Sequence, residues 1–307
     1  MENIPKIAHF YWGNTVLPFL RYLTLYSFRS LNPDWIIKLH TSKNISLNKS
    51  WDSGEQQFNC TAKDYIEYIN RLNIEIVEHN FSKEFDNNDI DHFHEVIKSD
   101  ILRWKLLSEE GGFWSDMDIL YIKSMNNFLS GKEKFDTFIC DNNGYYSIGF
   151  LLSNRNNPYY DYIYRKSKDK NITRNYQCFG NILLKQNFNS FQDISSYFSD
   201  ISIYNIPMNI VYPHDWINHD KIFKVSSYNI KRKPTYKERQ MMRRRPTYIN
   251  ETENIKEFDE QTIGLHWFGG SEIAGEYQSL LNDKTFNAYD IVICKYIKLI
   301  WKGDITI

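Results

Sequence analysis

The sequence predicts an α/β domain with a largely parallel central sheet and inserted helices. Two observations support this prediction. Short apolar runs alternate with amphipathic segments up to residue 140, and the segments between the runs are long enough for crossover helices. The chain has 307 residues, of which 42% are hydrophobic, so a sizeable core can form. Because it contains no internal repeat and no low-complexity linker, we expect one continuous domain over residues 1–307.

The predicted elements follow one another regularly up to residue 140. Apolar runs bounded by turn-forming residues predict strands, and apolar residues at helical spacing predict helices. Asn32-Pro33 stops the first helix, and Gly111-Gly112 ends the clearest one, as a helix C-terminus prefers. In chain order the elements are a strand at 7–12, a helix at 17–28, a strand at 35–39, a helix at 61–72, a strand at 74–77, a helix at 93–110, and strands at 113–115 and 135–140.

The pattern after residue 140 is less regular. Helical residues near 156–168 lead into a turn-rich middle, and an apolar tail covers 291–297. Asp141, Asn142 and Asn143 follow the last predicted strand, so they would lie at its carboxyl end, where sheets of this class bind ligands. A plain turn is the alternative, because Asp-Asn-Asn-Gly favours a turn by itself.

Charge and cysteine content restrict the class of protein. The 37 basic and 38 acidic residues give a net charge of −1, which argues against a protein that coats nucleic acid. The four cysteines show no C-x-x-C spacing, so neither a disulfide framework nor a zinc site is indicated, and a reducing compartment fits best. The sequence shows neither a signal peptide nor a run of about 18 apolar residues, which predicts a cytoplasmic or peripheral protein.

Asp116-Met117-Asp118 is the strongest candidate for a chemical site. In an extended chain residues i and i+2 point to the same side, so the two carboxylates are presented together while Met117 faces the opposite way. Two anionic oxygen ligands suit Mg²⁺ or Mn²⁺ and leave positions open for diphosphate oxygens and water. Neither G-x-G-x-x-G nor G-x-x-x-x-G-K-[ST] occurs, so a bound diphosphate needs a different device.

The setting of this pair is more informative than the pair itself. Asp100 and Arg103 lie three residues apart on the helix predicted at 93–110, so they share a face. The Gly-Gly turn brings that helix up to the strand that carries the pair, and four ionisable residues are therefore expected to converge. An ordinary ion pair on the helix surface is the alternative for Asp100 and Arg103.

Taken as a unit, residues 99–118 follow the outline S-D-x-x-R-x-x-x-L-x-x-x-G-G-x-[FYW]-x-D-x-D. This outline resembles the signature of the DXD-motif sugar transferases, similar to glycosyltransferase family 32. The family includes bacterial capsule and lipopolysaccharide sugar transferases, fungal mannosyltransferases and the glucosylating clostridial toxins. Further matches lie at 4–13, 32–35, 211–213 and 266–267. The resemblance is dense over residues 4–125 and implies the GT-A glycosyltransferase fold.

The resemblance implies a UDP-sugar donor and a role for each residue of the motif. Trp12 would stack on the uracil ring, although a tryptophan at the end of a strand is also a common core residue. Asp100 and Arg103 would contact ribose or sugar hydroxyls of the donor. Asp116 would touch ribose and metal, and Asp118 would bind the metal, Mn²⁺ or Mg²⁺, most directly.

A metal that also binds a diphosphate needs further ligands, and His266 is the best distal candidate. Imidazole suits Mn²⁺, and Gly269-Gly270 allow the backbone to approach a phosphate closely. Ser271 or a water could serve instead of the histidine, and Trp267 could face the diphosphate. A histidine with a purely structural role is the alternative.

We expect the two halves of the chain to bind different substrates. The resemblance assigns residues 1–125 to a nucleotide-sugar-binding half and residues 126–307 to an acceptor-binding half. Eight basic residues and one acid between Lys231 and Arg245 give a local charge of +7. Such a segment attracts anionic lipid headgroups, which predicts peripheral association with the inner face of the bacterial plasma membrane, beside a lipid-linked saccharide acceptor. A solvated loop without a partner is the alternative.

Relatives with this signature retain the anomeric configuration of the donor sugar. The resemblance therefore implies a retaining hexosyltransferase of capsule or lipopolysaccharide assembly, with galactose or glucose as the sugar. No residue stands out as a glycosyl nucleophile, which favours a front-face displacement. Three alternatives stay open: a toxin-like transferase that glycosylates a protein, a D-x-D phosphatase or hydrolase of the haloacid dehalogenase type, and a catalytically idle sugar- or nucleotide-binding module.

Overall fold

A seven-stranded sheet forms the centre of the computed structural model, which describes residues 4–13, 16–46, 62–85, 88–168, 177–224 and 258–303. A second sheet has two strands, β5 and β9. In chain order the strands are β1 (Ile7–Tyr11), β2 (Ile36–Ser42), β3 (Glu75–His79), β4 (Gly112–Ser115), β5 (Ile119–Tyr121), β6 (Thr137–Asn142), β7 (Tyr145–Ser153), β8 (Ile203–Asn205) and β9 (Gly264–His266).

The central strands run in one direction, apart from β7. The strand order is β3-β2-β1-β4-β7-β6-β8, and only β7 is antiparallel to its neighbours. Parallel neighbours need crossover connections, which the intervening helices supply. The predicted α/β class with a mostly parallel central sheet is confirmed.

Helices cover both faces of this sheet. Phe10 and Phe113 pack into one hydrophobic cluster with α1, whereas Tyr11 and Trp114 pack into a second cluster with α3 and α5. Successive residues of a strand point to opposite faces, so each cluster belongs to one face. The α-helices of the described residues are α1 (Phe19–Leu31), α2 (Phe81–Glu84), α3 (Glu95–Glu109), α4 (Met125–Leu129), α5 (Pro158–Ser167), α6 (Asn181–Asn187), α7 (Phe191–Tyr197), α8 (Glu272–Leu280) and α9 (Val292–Ile300).

The elements predicted up to residue 140 are present with shifted ends, except for the helix predicted at 61–72. Within the described residues this stretch holds only a 3₁₀ helix, Ile66–Leu72. Asp64 Oδ1 accepts hydrogen bonds from the N–H groups of Leu17 (2.8 Å) and Ile66 (3.0 Å), which holds the preceding residues in a loop. The apolar tail predicted at 291–297 is helix α9.

Three histidines form a hydrogen-bonded row across β1, β2 and β3. His9 Nδ1 lies 3.0 Å from His40 Nε2, and His40 Nδ1 lies 2.8 Å from His79 Nε2. The row ends at the Gly111 carbonyl oxygen, 3.0 Å from His9 Nε2, and at Glu84 Oε2, 3.0 Å from His79 Nδ1. Because a carbonyl only accepts, His9 carries its proton on Nε2, and burial lowers its pKa to about 4. The row therefore anchors the carbonyl that precedes β4.

The Gly111-Gly112 hinge turns the chain from α3 into β4. Both residues have positive φ, 66° and 95°, a conformation that side chains disfavour. A Cβ atom on Gly112 would also lie 2.5 Å from the carbonyl oxygen of Ile7 on β1. Only glycine fits this close approach, and the predicted turn that ends the helix and delivers Asp116 to the sheet is confirmed.

The basic segment predicted to bind a membrane, Lys231–Arg245, lies outside the described residues. None of the helices that the structure describes is both long enough and apolar enough to cross a bilayer.

Candidate active site

The Asp116-Met117-Asp118 segment forms a turn at the carboxyl edge of the sheet. β4 ends at Ser115 and β5 begins at Ile119, so the predicted extended backbone is wrong. The reason lies in the middle residue: Met117 packs in the core at 4% exposure, and its carbonyl accepts a hydrogen bond from Thr24 Oγ1 of α1 (3.0 Å). The two flanking carboxylates nevertheless converge on one cluster.

His266 reaches this turn through the small antiparallel sheet. Strand β9 pairs with β5 so that His266 stands opposite Ile119, the residue that follows Asp118. The ladder continues beyond the strands, because the Trp267 N–H donates to the Asp118 carbonyl (2.9 Å). As a result, Asp116, Asp118 and His266 each place one ligand atom within 4.8 Å of the others. The predicted convergence of these three residues is thus present in the structure.

Asp118 is contacted at both carboxylate oxygens. Oδ2 accepts the N–H of Gly269 (2.7 Å). Oδ1 is buried, and its polar neighbour is His266 Nε2, 3.1 Å away. Burial opposes the charge of Asp118, but His266, Arg21 and the Gly269 N–H outweigh it, so the pKa of this carboxyl lies below its ordinary value. A buried carboxylate oxygen beside an imidazole nitrogen fits a cation.

Arg21 is a component of the site that the sequence analysis missed. Its guanidinium lies between two indole rings, with Cζ 4.7 Å from the centroid of Trp267 and 5.3 Å from that of Trp12. Nη1 lies 3.9 Å from Asp118 Oδ2, and Nε donates to Gln278 Oε1 (3.1 Å). Arg21 therefore backs Asp118 from the side of helix α1 and supplies a buried positive charge there.

Arg103 links the other carboxylate to helix α3. Its Nη2 lies 3.0 Å from Asp116 Oδ1 and 3.2 Å from Asp100 Oδ1. Trp114 Nε1 donates to the same Asp116 oxygen (3.2 Å), which leaves Oδ2 for a further ligand. Arg103 and Asp100 are each only 3% exposed, so the alternative of a surface ion pair is wrong. Arg103 therefore holds Asp116 from the side of helix α3.

Asp100 lies one layer deeper than the other three carboxylate and imidazole groups. Burial raises its pKa to about 7, although the Arg103 charge acts in the opposite direction. Gly180, at the start of α6, packs against it: a Cβ at this position would lie 3.2 Å from Asp100 Oδ2. In this geometry Asp100 positions Arg103 and presents no open surface of its own.

The orientation of His266 depends on the turn that follows it. The Phe268 N–H donates to His266 Nδ1 (3.3 Å), and Phe268 has a positive φ of 49°, which is uncommon for a residue with a side chain. With Nδ1 accepting, a neutral ring carries its proton on Nε2, facing Asp118. Ligation of a metal through Nε2 therefore requires the proton to move to Nδ1 and the bond from Phe268 to break.

The remaining predicted site residues have structural partners. Trp12 is buried and donates its Nε1–H to the Val16 carbonyl (3.1 Å). Trp267 is fully buried beneath Arg21, so the prediction that its side chain faces a diphosphate is wrong; its contribution is the backbone bond to Asp118. Ser271 caps helix α8, with its hydroxyl accepting the Ala274 N–H (3.3 Å).

The polar residues after the predicted strand at 135–140 form a hairpin turn. Asn143 and Gly144 have φ values of 52° and 80° and connect β6 to β7. The carboxylate of Asp141 accepts the N–H groups of Gly144 (2.7 Å) and Phe191 (2.9 Å). The alternative of a turn is therefore correct. The Asp141 carboxylate binds these backbone N–H groups instead of a ligand.

Gly149 and Tyr212 complete the rim around Asp116, and neither was singled out from the sequence as a ligand-site residue. The Asp116 N–H donates to the Gly149 carbonyl (2.8 Å) across β4 and β7. A Cβ on Gly149 would lie 2.5 Å from Asp116 Oδ2 and 2.9 Å from the Tyr212 hydroxyl. Because glycine has no side chain, position 149 leaves room for the Asp116 carboxylate.

The arrangement as a whole combines two carboxylates and an imidazole on a sheet edge, with two buried guanidinium groups behind them. Oxygen ligands with one nitrogen suit Mn²⁺ or Mg²⁺ better than a softer metal. Both aspartates lie beside the carboxyl end of β4, which is the edge at which open α/β sheets bind ligands. The geometry therefore suits a site for a cation together with an anionic ligand.

Comparisons with known proteins bear on this region. Residues 18–136 match the model of a family described as the glycosyltransferase sugar-binding region containing a DXD motif. No curated protein matches the sequence.

Among solved structures, the chain is similar to the PaToxG glycosyltransferase, at 17% identity and a TM-score of 0.44, over 65% of this chain and 75% of that one. It is also similar to mouse xyloside xylosyltransferase 1 (11% identity, TM-score 0.36, 66% and 84% covered). A third similar structure is the UDP-bound glycosyltransferase domain from the YGT toxin (13% identity, TM-score 0.37, 65% and 68% covered). Asp100, Arg103 and the turn with both aspartates lie within residues 18–136, the part of the chain that matches this DXD family model.

Proposed function

We propose that the chain is a metal-dependent, retaining hexosyltransferase that uses a UDP-sugar, with galactose or glucose as the transferred sugar. The observation that carries this proposal is the cluster of Asp116, Asp118 and His266, whose ligand atoms lie within 4.8 Å of one another. Two of these residues lie inside the region that matches the DXD glycosyltransferase family. The third, His266, lies on strand β9, which pairs with β5 of that region.

A divalent cation, Mn²⁺ or Mg²⁺, would be held by Asp116, Asp118 and, after its ring proton shifts, His266. When bound, it supplies positive charge that neutralises a diphosphate and stabilises the charge developing on a departing nucleotide. The close approach of two buried ligand atoms, Asp118 Oδ1 and His266 Nε2 at 3.1 Å, is the observation that favours a cation at this place.

The residues of the chain itself would position the donor and balance charge around it. Asp118 keeps its negative charge because Arg21 and the Gly269 N–H stabilise it. Arg103 fixes Asp116 through the 3.0 Å contact between Nη2 and Oδ1 and places a buried positive charge behind that carboxylate. Fixed dipoles and charges of this kind stabilise a transition state because they need no reorganisation during the reaction.

Retention would follow from a displacement on one face of the sugar. The bond from the anomeric carbon to the diphosphate oxygen breaks, and the acceptor hydroxyl oxygen forms its bond from the same side. The hydroxyl proton passes to the departing phosphate oxygen, so no side-chain nucleophile is required. This proposal rests on the resemblance of residues 99–118 to retaining transferases.

We propose a lipid-linked saccharide of bacterial capsule or lipopolysaccharide assembly as the acceptor. The support is the charge of +7 between Lys231 and Arg245, which favours an anionic membrane surface. Charge removal at the eight basic positions is expected to weaken binding to phosphatidylglycerol vesicles. If vesicle binding stayed the same, peripheral membrane association through this segment would be excluded.

A donor screen tests the proposed function directly. UDP-galactose, UDP-glucose, UDP-N-acetylglucosamine and GDP-mannose are each incubated with Mn²⁺ or with EDTA, and nucleotide release is measured. We expect release from UDP-galactose or UDP-glucose with Mn²⁺ and loss of that release with EDTA. Release of inorganic phosphate without nucleotide-sugar dependence would instead favour the phosphatase alternative. A β-linked product from an α-linked donor, read by NMR, would contradict retention.

Replacement of Gly149 by alanine is expected to lower donor turnover by on the order of 10²-fold, because misplacement of a catalytic group by about 1 Å has effects of that size. The new methyl group would collide with Asp116 Oδ2 at 2.5 Å. The readouts are nucleotide release and Mn²⁺ affinity by calorimetry. Gly275→Ala in helix α8 is the matched control, since a Cβ there meets nothing within 4 Å. Equal activity of the two variants would contradict a ligand role for Asp116.

A further inference from the structure

Trp216 is exposed on the surface next to the candidate active site. Its side chain is 55% exposed and that of the following residue, Ile217, is 84% exposed. The other tryptophans in the described part of the chain are buried or partly buried. Large exposed apolar side chains that lie together commonly mark a binding surface.

A row of aromatic rings connects Trp216 to the cluster of Asp116, Asp118 and His266. The centroid of the Trp216 ring lies 5.7 Å from that of Phe268, and the Phe268 centroid lies 4.3 Å from that of His266. His219 stacks on Trp216 at 4.8 Å with an interplanar angle of 17°. His219 covers one face of the indole, so the exposed 55% of the Trp216 side chain lies on its remaining face and edges.

The loop that carries Trp216 is held in place by its own hydrogen bonds. Asp215 Oδ1 accepts both the backbone N–H and the side-chain amide of Asn218, each at 2.8 Å. The following 3₁₀ helix, His219–Phe223, is anchored by Ile222 and Phe223, which are buried, and Phe223 stacks on Tyr277 at 4.9 Å. The open face of the indole is therefore preorganised, which lowers the entropy cost of binding.

We infer that the open face of Trp216, flanked by Ile217, is the platform on which a pyranose ring of the acceptor saccharide stacks. This inference rests on the proposed function and specifies its acceptor side. A pyranose has an apolar face that suits an aromatic ring and hydroxyls at its edges that need polar partners. Asp215 precedes Trp216 in the chain and His219 stacks on its ring, so polar groups that could act as such partners lie near the indole.

Insertion of Trp216 and Ile217 into a membrane is the competing explanation, and local charge disfavours it. Hydrogen bonds from the Asn218 side chain and backbone lower the pKa of Asp215, so this exposed carboxyl is ionised at neutral pH. A carboxylate beside the indole is repelled by an anionic bilayer surface, whereas it readily accepts hydrogen bonds from sugar hydroxyls. The row of rings also extends toward the cluster of Asp116, Asp118 and His266, where the acceptor hydroxyl would have to meet the donor sugar.

The test compares water with methyl glycosides as acceptors, using the whole 307-residue chain. Wild type, Trp216→Ala, Trp216→Phe and Ile217→Ser are assayed for hydrolysis of the UDP-sugar by water and for transfer to methyl α- and β-pyranosides of galactose, glucose and mannose. Tyr197→Ala is the matched control, because Tyr197 is 63% exposed on the short helix α7 and belongs to no part of the proposed site. Binding of the same glycosides is followed by saturation-transfer NMR, which needs no turnover, and binding to phosphatidylglycerol vesicles is measured in parallel.

We expect the ratio of transfer to hydrolysis to fall about 10-fold in Trp216→Ala through a higher KM for the glycoside. Trp216→Phe should restore most of this ratio and Tyr197→Ala should not change it. Parallel loss of transfer and hydrolysis, unchanged glycoside saturation transfer in Trp216→Ala, or loss of vesicle binding with transfer intact would each overturn the inference. A wild-type chain that releases no nucleotide from any donor but binds glycosides through Trp216 would refute the proposed function alone.

Discussion

Replacement of Asp118 by asparagine is expected to lower nucleotide release from the UDP-sugar by about 10³-fold or more, which corresponds to about 4 kcal/mol of transition-state stabilisation. Asparagine keeps the size of the side chain, and its amide oxygen can still accept the Gly269 N–H. It removes the anionic Oδ1, which is buried and lies 3.1 Å from His266 Nε2. We therefore expect weaker Mn²⁺ binding and slower turnover in this variant.

Calorimetric titration with Mn²⁺ and nucleotide release measure these two effects separately. Asp161→Asn is a matched control, because this aspartate lies on the surface of α5 in an i,i+4 ion pair with Arg165. Surface ion pairs contribute little, so the control should behave like wild type. Circular dichroism verifies that Asp118→Asn is folded. Activity within tenfold of wild type, together with unchanged Mn²⁺ affinity, would exclude Asp118 as a metal ligand.

The sequence could predict the part of the site that is local in the chain. Asp100, Arg103, Asp116 and Asp118 lie within 19 consecutive residues, and the geometry of one helix, one glycine hinge and one strand end brings them together. The contact of Arg103 Nη2 with both Asp100 and Asp116 follows directly from this arrangement. The backbone at Asp116–Asp118 was predicted incorrectly, because an i,i+2 pattern does not show that the strand has already ended at Ser115.

The nonlocal part of the site could not be predicted in the same way. Arg21 reaches Asp118 only because α1 packs on the sheet, and its sequence signal is weak: a charged residue in a largely apolar helical segment that also carries Arg29. Strand β9 has three residues, too few for a periodic pattern, yet its pairing with β5 determines where His266 lies. The Gly269 N–H is a backbone group, whose role no residue type reveals.

The fold shows the same division between local and nonlocal information. The long strands and helices before residue 140 were predicted, since each has its own apolar period. Strands β5, β8 and β9 have three residues each and were missed, and the nine-residue strand β7 was missed as well. β7 is the one central strand that runs antiparallel, and only the sheet register shows that it places Gly149 against Asp116.

Replacement of Arg103 by methionine is expected to lower the free energy of unfolding by about 3–5 kcal/mol at pH 8, the usual cost of leaving a buried charge unpaired. Arg103 is 3% exposed, and its Nη2 contacts the carboxylates of Asp100 and Asp116. Its guanidinium also packs 4.9 Å from the centroid of the Trp114 ring. Methionine has a similar length but can balance neither carboxylate. Urea denaturation followed by tryptophan fluorescence measures the effect.

The cost of Arg103→Met should depend on pH because Asp100 titrates near neutrality. Burial raises its folded pKa to about 7, so stability is lost as pH rises from the ordinary range of an aspartate through that value. At pH 5 the folded Asp100 is already protonated, with or without Arg103. At pH 8 wild type holds an ionised Asp100 beside Arg103, whereas the variant must keep the group protonated or leave the charge unpaired. We therefore expect a larger loss at pH 8 than at pH 5.

Two further variants decide whether this explanation holds. Asp100→Asn removes the titrating group, so Arg103→Met in that background should lose its extra cost at pH 8. Arg165→Met removes a guanidinium that is 69% exposed and forms an ion pair with Asp161, and it should change stability by less than about 1 kcal/mol. An equal loss for Arg103→Met at both pH values would show that Asp100 is not the group that Arg103 balances. Asp116, which Arg103 Nη2 contacts at 3.0 Å, would then be the carboxylate that it balances.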